Sequence, residues 1–81
     1  MTYVYREDVL AQLWAHGVHP TPETPPELVH EFVGDLYRFE IRRLRDRFRR
    51  QEIRREDYAD HVVLLRRRYP LISLKPWQWL R

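Results

Sequence analysis

Two short patterns in this chain contain residue types that bind metals in other proteins. Glu27 and His30 have the Glu-x-x-His spacing that places two ligands on one helical face in carboxylate-bridged di-iron bundles. Such a site needs a second copy of the motif and two further glutamates, which a dimer would have to provide. Glu27 also fits a capping box with Thr24, and this interpretation explains it without a metal.

The second pattern is the pair His16 and His19, which flanks the end of a predicted helix. Two histidines without a cysteine or a carboxylate-rich neighbourhood match no known zinc or nickel spacing well, and surface histidines at a helix end are the favoured explanation. The sequence therefore predicts neither a metal nor another cofactor.

No combination of residues in the chain indicates catalysis. There is no Ser/His/Asp order, no nucleophile turn and no zinc-protease motif, and two glycines in 81 residues exclude the usual phosphate cradles. Glu56 and Asp57 are adjacent, so on a helix they face different directions and are explained as first-turn partners of the helix dipole. We expect no enzymatic activity.

Charge is distributed unevenly along the chain. Residues 1–37 carry six acidic side chains and one basic, a balance of −5, whereas residues 38–81 carry fourteen basic and six acidic, a balance of +8. This asymmetry favours nucleic-acid binding or head-to-tail pairing between chains. Fourteen of the fifteen basic residues are arginine. A codon bias of the genome would also explain that preference, but not the clustering.

The arginines are densest between residues 38 and 55, where nine of them stand against three acidic side chains. A helix with arginines on both flanks could lie along nucleic-acid phosphates. The alternative is a solvated flank, in which the long arginine stems cover the edges of an apolar seam. The candidate residues for nucleic-acid or partner binding are Arg38, Arg42, Arg45, Arg49, Arg43, Arg47 and Arg50.

Apolar residues at helical spacing predict an all-α fold with one long central helix. Gly17 fits a left-handed cap after the first helix, Thr24 and Pro25 fit the start of the second, and Pro70 ends the third. We expect a single helical domain over residues 1–81. Its predicted elements are helices at about 6–16, 25–53 and 56–69, a proline-rich linker at 18–26 and a docking tail at 70–81.

The length of the second helix constrains the arrangement. About 28 residues form a rod of about 42 Å, whereas a compact globule of this chain length has a diameter of about 30 Å. We therefore expect the two shorter helices to pack antiparallel along the rod, one on each half, or a second chain to share it. The predicted core contains Val9, Leu13, Trp14, Val33, Leu36, Tyr37, Ile41, Leu44, Phe48, Tyr58, Val62 and Leu65.

Two further features of the long helix and the tail suggest contacts. Gly34 lies inside the helix, which costs about 1 kcal/mol relative to alanine, and suggests that another backbone passes closely there. The C-terminal tail is extended and too apolar to remain in water. We expect it to dock on the apolar arc of the long helix or on a partner, with the interface residues Phe32, Phe39, Trp77 and Trp79.

The segments 41–53 and 56–69 resemble the helical hairpin of short bacterial C-terminal oligomerisation modules. In that family an isoleucine and a pair of acids precede an aromatic residue at the turn, as Ile53, Glu56, Asp57 and Tyr58 do here. The similarity covers less than half of the chain, and the usual glycine at the turn is absent. It implies self-association.

Together these features predict a small helical interaction or scaffold protein that self-associates as a homodimer or docks a protein partner. The alternative is nucleic-acid binding without sequence preference, through the arginine-rich half of the long helix. The chain has no cysteine and no apolar run of membrane-spanning length, and its first residues do not form a signal peptide. We expect a cytoplasmic protein without membrane association.

Overall fold

The computed structural model describes all 81 residues, from Met1 to Arg81. It is all-α, as the sequence predicts, and its only β-type pairing is one isolated bridge. The helices are α1 (Glu7–Ala15), α2 (Pro26–Arg49) and α3 (Arg55–Arg67), followed by two short 3-10 helices, Pro70–Ser73 and Pro76–Trp79. None of them combines the length and the apolarity that crossing a membrane requires.

The chain forms two compact units. Residues 1–33 together with 71–81 make up one of them, called the terminal unit below, and residues 34–70 make up the other, called the central unit. α2 contributes its first residues to the terminal unit and the rest to the central unit.

A buried tryptophan lies in the core of the terminal unit. Trp79 is fully buried, its indole N–H donates a hydrogen bond to the Leu71 carbonyl at 3.3 Å, and its ring centroid lies 5.1 Å from that of His30. The helices add the fully buried side chains Val9, Leu13 and Val33. The C-terminal segment is therefore part of this core.

Backbone hydrogen bonds join the two ends of the chain within the terminal unit. The Arg6 amide donates to the Trp79 carbonyl and the Arg81 amide to the Val4 carbonyl, both at 2.9 Å, and Tyr5 and Leu80 form the isolated antiparallel bridge. The residues before α1 are thus held by the tail.

Most of the tail is not extended, contrary to the expectation from the sequence. Pro70 and Pro76 are each the first residue of a 3-10 helix. The fixed φ of proline suits a helical first turn, and the missing amide hydrogen is not needed there. Proline therefore starts these turns, although it also ends α3.

Two helices end in the same hydrogen-bond pattern but with different residues. After α1, Gly17 has a φ of 76°, and the amides of Gly17 and Val18 bond back to Trp14 and Leu13, as the sequence predicts. After α2 the same left-handed position holds Gln51, with a φ of 63°. A residue other than glycine is disfavoured there, so no residue type in the sequence marks the end of α2. The predicted end at residue 53 is therefore four residues too late.

The predicted capping box at the start of α2 is wrong. The Thr24 hydroxyl lies 3.0 Å from the Thr21 hydroxyl and accepts a hydrogen bond from the Thr21 amide, while the Thr24 amide bonds to the Thr21 carbonyl. Thr24 thus closes a turn with Thr21, and the first backbone acceptor of α2 is the Pro25 carbonyl. Glu27 is exposed.

Trp14 was predicted in the core but is 61% exposed. Val9 and Leu13 are four residues apart and share the buried side of α1, whereas Trp14 lies a further 100° round the helix. Its ring instead meets the edge of His19, with 4.9 Å between centroids.

The central unit packs α3 against the second part of α2. Its most buried residues are Leu44, Ile53, Leu65 and Tyr69. Two ring pairs accompany them: Phe48 with Tyr58 at 4.6 Å, and Tyr37 with Tyr69 at 5.4 Å between centroids.

Gly34 is buried, but no second backbone explains it. A methyl group on Gly34 would have as its three nearest neighbours the guanidinium atoms of Arg38, at 3.5 to 3.8 Å. The expected close backbone approach is therefore wrong, because a flexible side chain occupies the space.

We expect Trp79→Ala to lower the free energy of unfolding by about 3–5 kcal/mol, because it removes a fully buried aromatic side chain. Trp77→Ala is the matched control: Trp77 is 69% exposed, so its loss should change stability by less than about 0.5 kcal/mol. Urea denaturation followed by circular dichroism measures both. Equal effects of the two variants would contradict the docked tail.

We expect Gly34→Ala to raise the free energy of unfolding by about 1 kcal/mol, the difference in helix propensity, since the added methyl meets only ordinary van der Waals contacts with Arg38. Gly17→Ala should lower it, because a φ of 76° strains any side chain. Thermal unfolding distinguishes the two signs. A loss of stability in Gly34→Ala would contradict the conclusion that the methyl group fits beside Arg38.

Candidate interaction surfaces

All seven candidate arginines of α2 and its C-terminal cap are exposed, but they differ in their partners. Arg38 pairs with Asp35, one helical turn earlier, and Arg50 pairs with Glu52 at 2.7 Å. The Arg43 guanidinium lies 5.9 Å from the centroid of the Phe39 ring. Ion pairs within the chain are absent for the remaining residues of the set, Arg42, Arg45, Arg47 and Arg49.

One side of α2 carries a charge stripe that changes sign midway. At 3.6 residues per turn, seven charged residues at spacings of three or four fall within about a quarter of the helix circumference. All seven are exposed. The stripe consists of three acids followed by four arginines: Glu27, Glu31, Asp35, Arg38, Arg42, Arg45 and Arg49.

An apolar row runs along α2 beside the charge stripe. Leu28 is 61% exposed, Phe32 51% and Phe39 57%, whereas Val29 and Val33 on another side of the helix are buried. Large apolar side chains exposed at helical spacing are typical of a surface that another protein covers. The three side chains of this row are each more than half exposed in the single chain.

The two tryptophans of the tail lie in different environments. Trp79 is buried in the terminal unit beside His30, while Trp77 is 69% exposed. Of the four residues predicted to dock the tail, Phe32, Phe39 and Trp77 thus remain exposed, and only Trp79 is enclosed by its own chain.

His30 contacts the C-terminal segment in the structure. A ring nitrogen lies 2.8 Å from the Leu74 carbonyl oxygen, and the ring stacks near Trp79. No group of three or more histidine, aspartate or glutamate side chains is arranged to hold a metal ion. His30 therefore anchors the C-terminal segment to α2.

A second row of arginines on α2 borders a cleft in the central unit, which we call the α2–α3 cleft. Its volume is about 310 Å³. Each side contributes four residues at the spacing i, i+3, i+4 and i+7. The lining is Glu40, Arg43, Leu44 and Arg47 from α2, and His61, Leu64, Leu65 and Arg68 from α3 and its C-terminal cap.

Glu40, the single carboxylate of this cleft, is held from two sides. The Tyr69 hydroxyl donates a hydrogen bond to it, and the Arg68 guanidinium lies 3.5 Å away. Burial, together with the hydrogen bond to Glu40 and the negative charge of Glu40, raises the pKa of Tyr69 to about 12, against the opposing positive charge of Arg68. The tyrosine therefore remains a protonated donor at neutral pH.

No protein-family model matches the chain, and no curated protein or solved structure is significantly similar to it.

Sequence reasoning identified Arg43 and Arg47 but neither the cleft nor the hydrogen bond from Tyr69 to Glu40. Tyr69 is only the last residue of the predicted third helix, and no pattern in that helix alone singles out His61 or Leu64. A signal was present, because 40, 43, 44 and 47 on one helix and 61, 64, 65 and 68 on the next share one spacing. Two helices with matching rows form a cleft where the rows face each other.

We expect Tyr69→Phe to lower the free energy of unfolding at neutral pH by about 1.5–3 kcal/mol, the contribution of a hydrogen bond to a charged acceptor. The ring contact with Tyr37 remains. Because the folded-state pKa lies above the ordinary value, the stabilisation is complete below about pH 10 and is lost as the pH rises towards about 12. Urea denaturation at neutral and alkaline pH tests this. If the difference in unfolding free energy between the native chain and Tyr69→Phe stays constant up to about pH 12, the raised pKa of Tyr69 is contradicted.

Proposed function

We propose that this chain is a self-associating helical interaction module, and that α2 is the surface on which a second copy docks in antiparallel orientation. The observation that carries the proposal is the charge stripe. Its three acids come first and its four arginines follow on one side of one helix. In a second copy that runs in the opposite direction, the arginines therefore lie opposite the acids of the first.

The spacing of the stripe favours one register. A twofold axis near residue 38 places Glu31 opposite the second copy's Arg45 and Glu27 opposite the second copy's Arg49. In an antiparallel helix pair, the same flank of both helices meets across the interface, so each pair occurs twice. A parallel pair would instead bring acids against acids.

The apolar row supports the same interface. Phe39 lies next to the axis in this register, where the two copies of its ring come close together. Phe32 and Leu28 follow outwards, each more than half exposed in the single chain. Covering them removes apolar surface from water at about 25 cal/mol per Å², while the charge pairs determine orientation more than affinity.

We also propose that α3 runs antiparallel to the second part of α2, as the sequence predicts. Support comes from the order of the ring contacts: Tyr37 meets Tyr69 and Phe48 meets Tyr58. From Tyr37 to Phe48 along α2, the contacted residue changes from Tyr69 back to Tyr58, towards the start of α3. A helical hairpin of this kind leaves the charge stripe open to a second copy.

A charge-swap experiment tests the dimer. We expect Glu31→Arg and Arg45→Glu each to weaken dimerisation by about tenfold, or about 1.4 kcal/mol, since each turns two symmetric attractions into repulsions. The double variant should regain most of the affinity because it restores the pair with reversed sign. Sedimentation velocity over a concentration series measures the dissociation constants.

Asp60→Arg is the matched control for this experiment. It makes the same charge change as the acidic reversal at an exposed position of α3 outside the stripe, so dimerisation should change less than about twofold. If the double variant is as weak as the sum of its parts, or if the control is equally weak, the register is wrong.

A specific observation also favours the second candidate, nucleic-acid binding without sequence preference. Four of the seven candidate arginines, Arg42, Arg45, Arg47 and Arg49, are exposed and make no ion pair within the chain. Such guanidinium groups are available to contact phosphates. Binding of this kind gains free energy from released counterions and needs no base-reading side chain.

We expect any affinity for duplex DNA or single-stranded RNA to fall steeply from low to moderate salt, and to be lost in the double variant Arg42→Glu with Arg49→Glu. Fluorescence anisotropy titrations measure it. Glu31→Arg separates the two candidates, because it breaks the dimer pair but adds positive charge. No binding at low salt to either nucleic acid would exclude this candidate.

A further inference from the structure

We propose that the α2–α3 cleft binds a small organic phosphate, with the phosphate group held by Arg43 and Arg47 and the organic part resting on Leu64. This site lies on a different row of α2 from the charge stripe, and its test does not require a dimer. Arg43 also lies beside Phe39, the central ring of the proposed dimer interface.

The size of the cleft suits a small ligand. Its 310 Å³ lie at the lower end of the range of about 300–1,000 Å³ for ligand pockets, which suits a phosphate group with one ring. Leu44 and Leu65 are buried beneath it. A concave surface with an apolar floor and a few polar groups at the rim is the usual form of a ligand site.

The charge of the cleft matches a dianion. Three arginines line it, Arg43, Arg47 and Arg68, against the one carboxylate of Glu40, so the arginines exceed the carboxylate by two charges. A phosphate monoester carries about −1.5 to −2 at neutral pH, whereas a carboxylate carries half as much. Glu40 does not neutralise Arg43 or Arg47, because Tyr69 and Arg68 already engage it.

Arg43 and Arg47 make no ion pair within the chain, although Arg43 lies 5.9 Å from the centroid of the Phe39 ring. They stand four residues apart on α2, where like charges repel. An anion between them removes this repulsion and accepts charge-assisted hydrogen bonds from both guanidinium groups. The hollow on their other side is a poorer site, because Asp46 and Glu52 line it and offset its arginines.

The exposed Leu64 argues for an organic ligand over inorganic phosphate. It is 57% exposed at the rim of the cleft, which it lines together with His61 and Arg68 of the same side. A ring or short alkyl group bound through its phosphate would cover this side chain. The site thus combines one apolar contact with one dianion contact.

Amide NMR titrations of the full chain at fixed ionic strength test the site, with phenyl phosphate as the probe and inorganic phosphate and phenol as its two halves. We expect saturable shifts at His61 and Leu64 with phenyl phosphate, and about tenfold weaker binding of either half. Arg47→Gln should weaken phenyl phosphate by about tenfold or more, since it removes a charged hydrogen bond. Arg67→Gln, the same charge change on α3 outside the cleft, should change affinity less than about twofold.

Three results would overturn the proposal. The first is the absence of saturable shifts at these residues. The second is equal weakening by the Arg47 and Arg67 variants, which would indicate only a general charge effect. The third is a single-stranded oligonucleotide without a terminal phosphate that binds the cleft as tightly as phenyl phosphate, because the site would then recognise a phosphodiester backbone.

Discussion

Burial of Trp79 is the interaction on which the terminal unit depends. Its ring fills the core beside His30, and its carbonyl accepts the hydrogen bond of the Arg6 amide, the residue immediately before α1. A single residue therefore ties the C-terminal tail to the first turns of α2 and to the start of α1. In a chain this short, where one core supplies only a few kcal/mol of net stability, such a contact accounts for a large share of it.

This way of closing the core leaves one side of α2 unused. The tail packs around Trp79 and the N-terminal residues, and Phe32 and Phe39 both stay half exposed. The arginines that follow them find few carboxylates within the chain. The exposed apolar row, the charge stripe and the α2–α3 cleft each present a surface suited to a molecule outside the chain.

The helices could be predicted from the sequence, but several ends and partners could not. Gly17 was recognisable as a cap because glycine favours a positive φ, whereas Gln51 adopts the same geometry without such a signal. Thr24 has the residue type of a helix cap, yet Thr21 competes for its hydroxyl. The arginine rows were evident from spacing. Their partners were not, because a row becomes a cleft only when a second helix is placed against it, as Leu64 illustrates.

Docking of two copies through α2 is tested most directly by the mass of the native protein. Sedimentation equilibrium at moderate salt should show an average mass that rises with concentration from the 10.2 kDa of one chain towards twice that value, and no further, because a twofold interface is closed. A mass that stays at one chain from micromolar to millimolar concentration would contradict the proposed dimer.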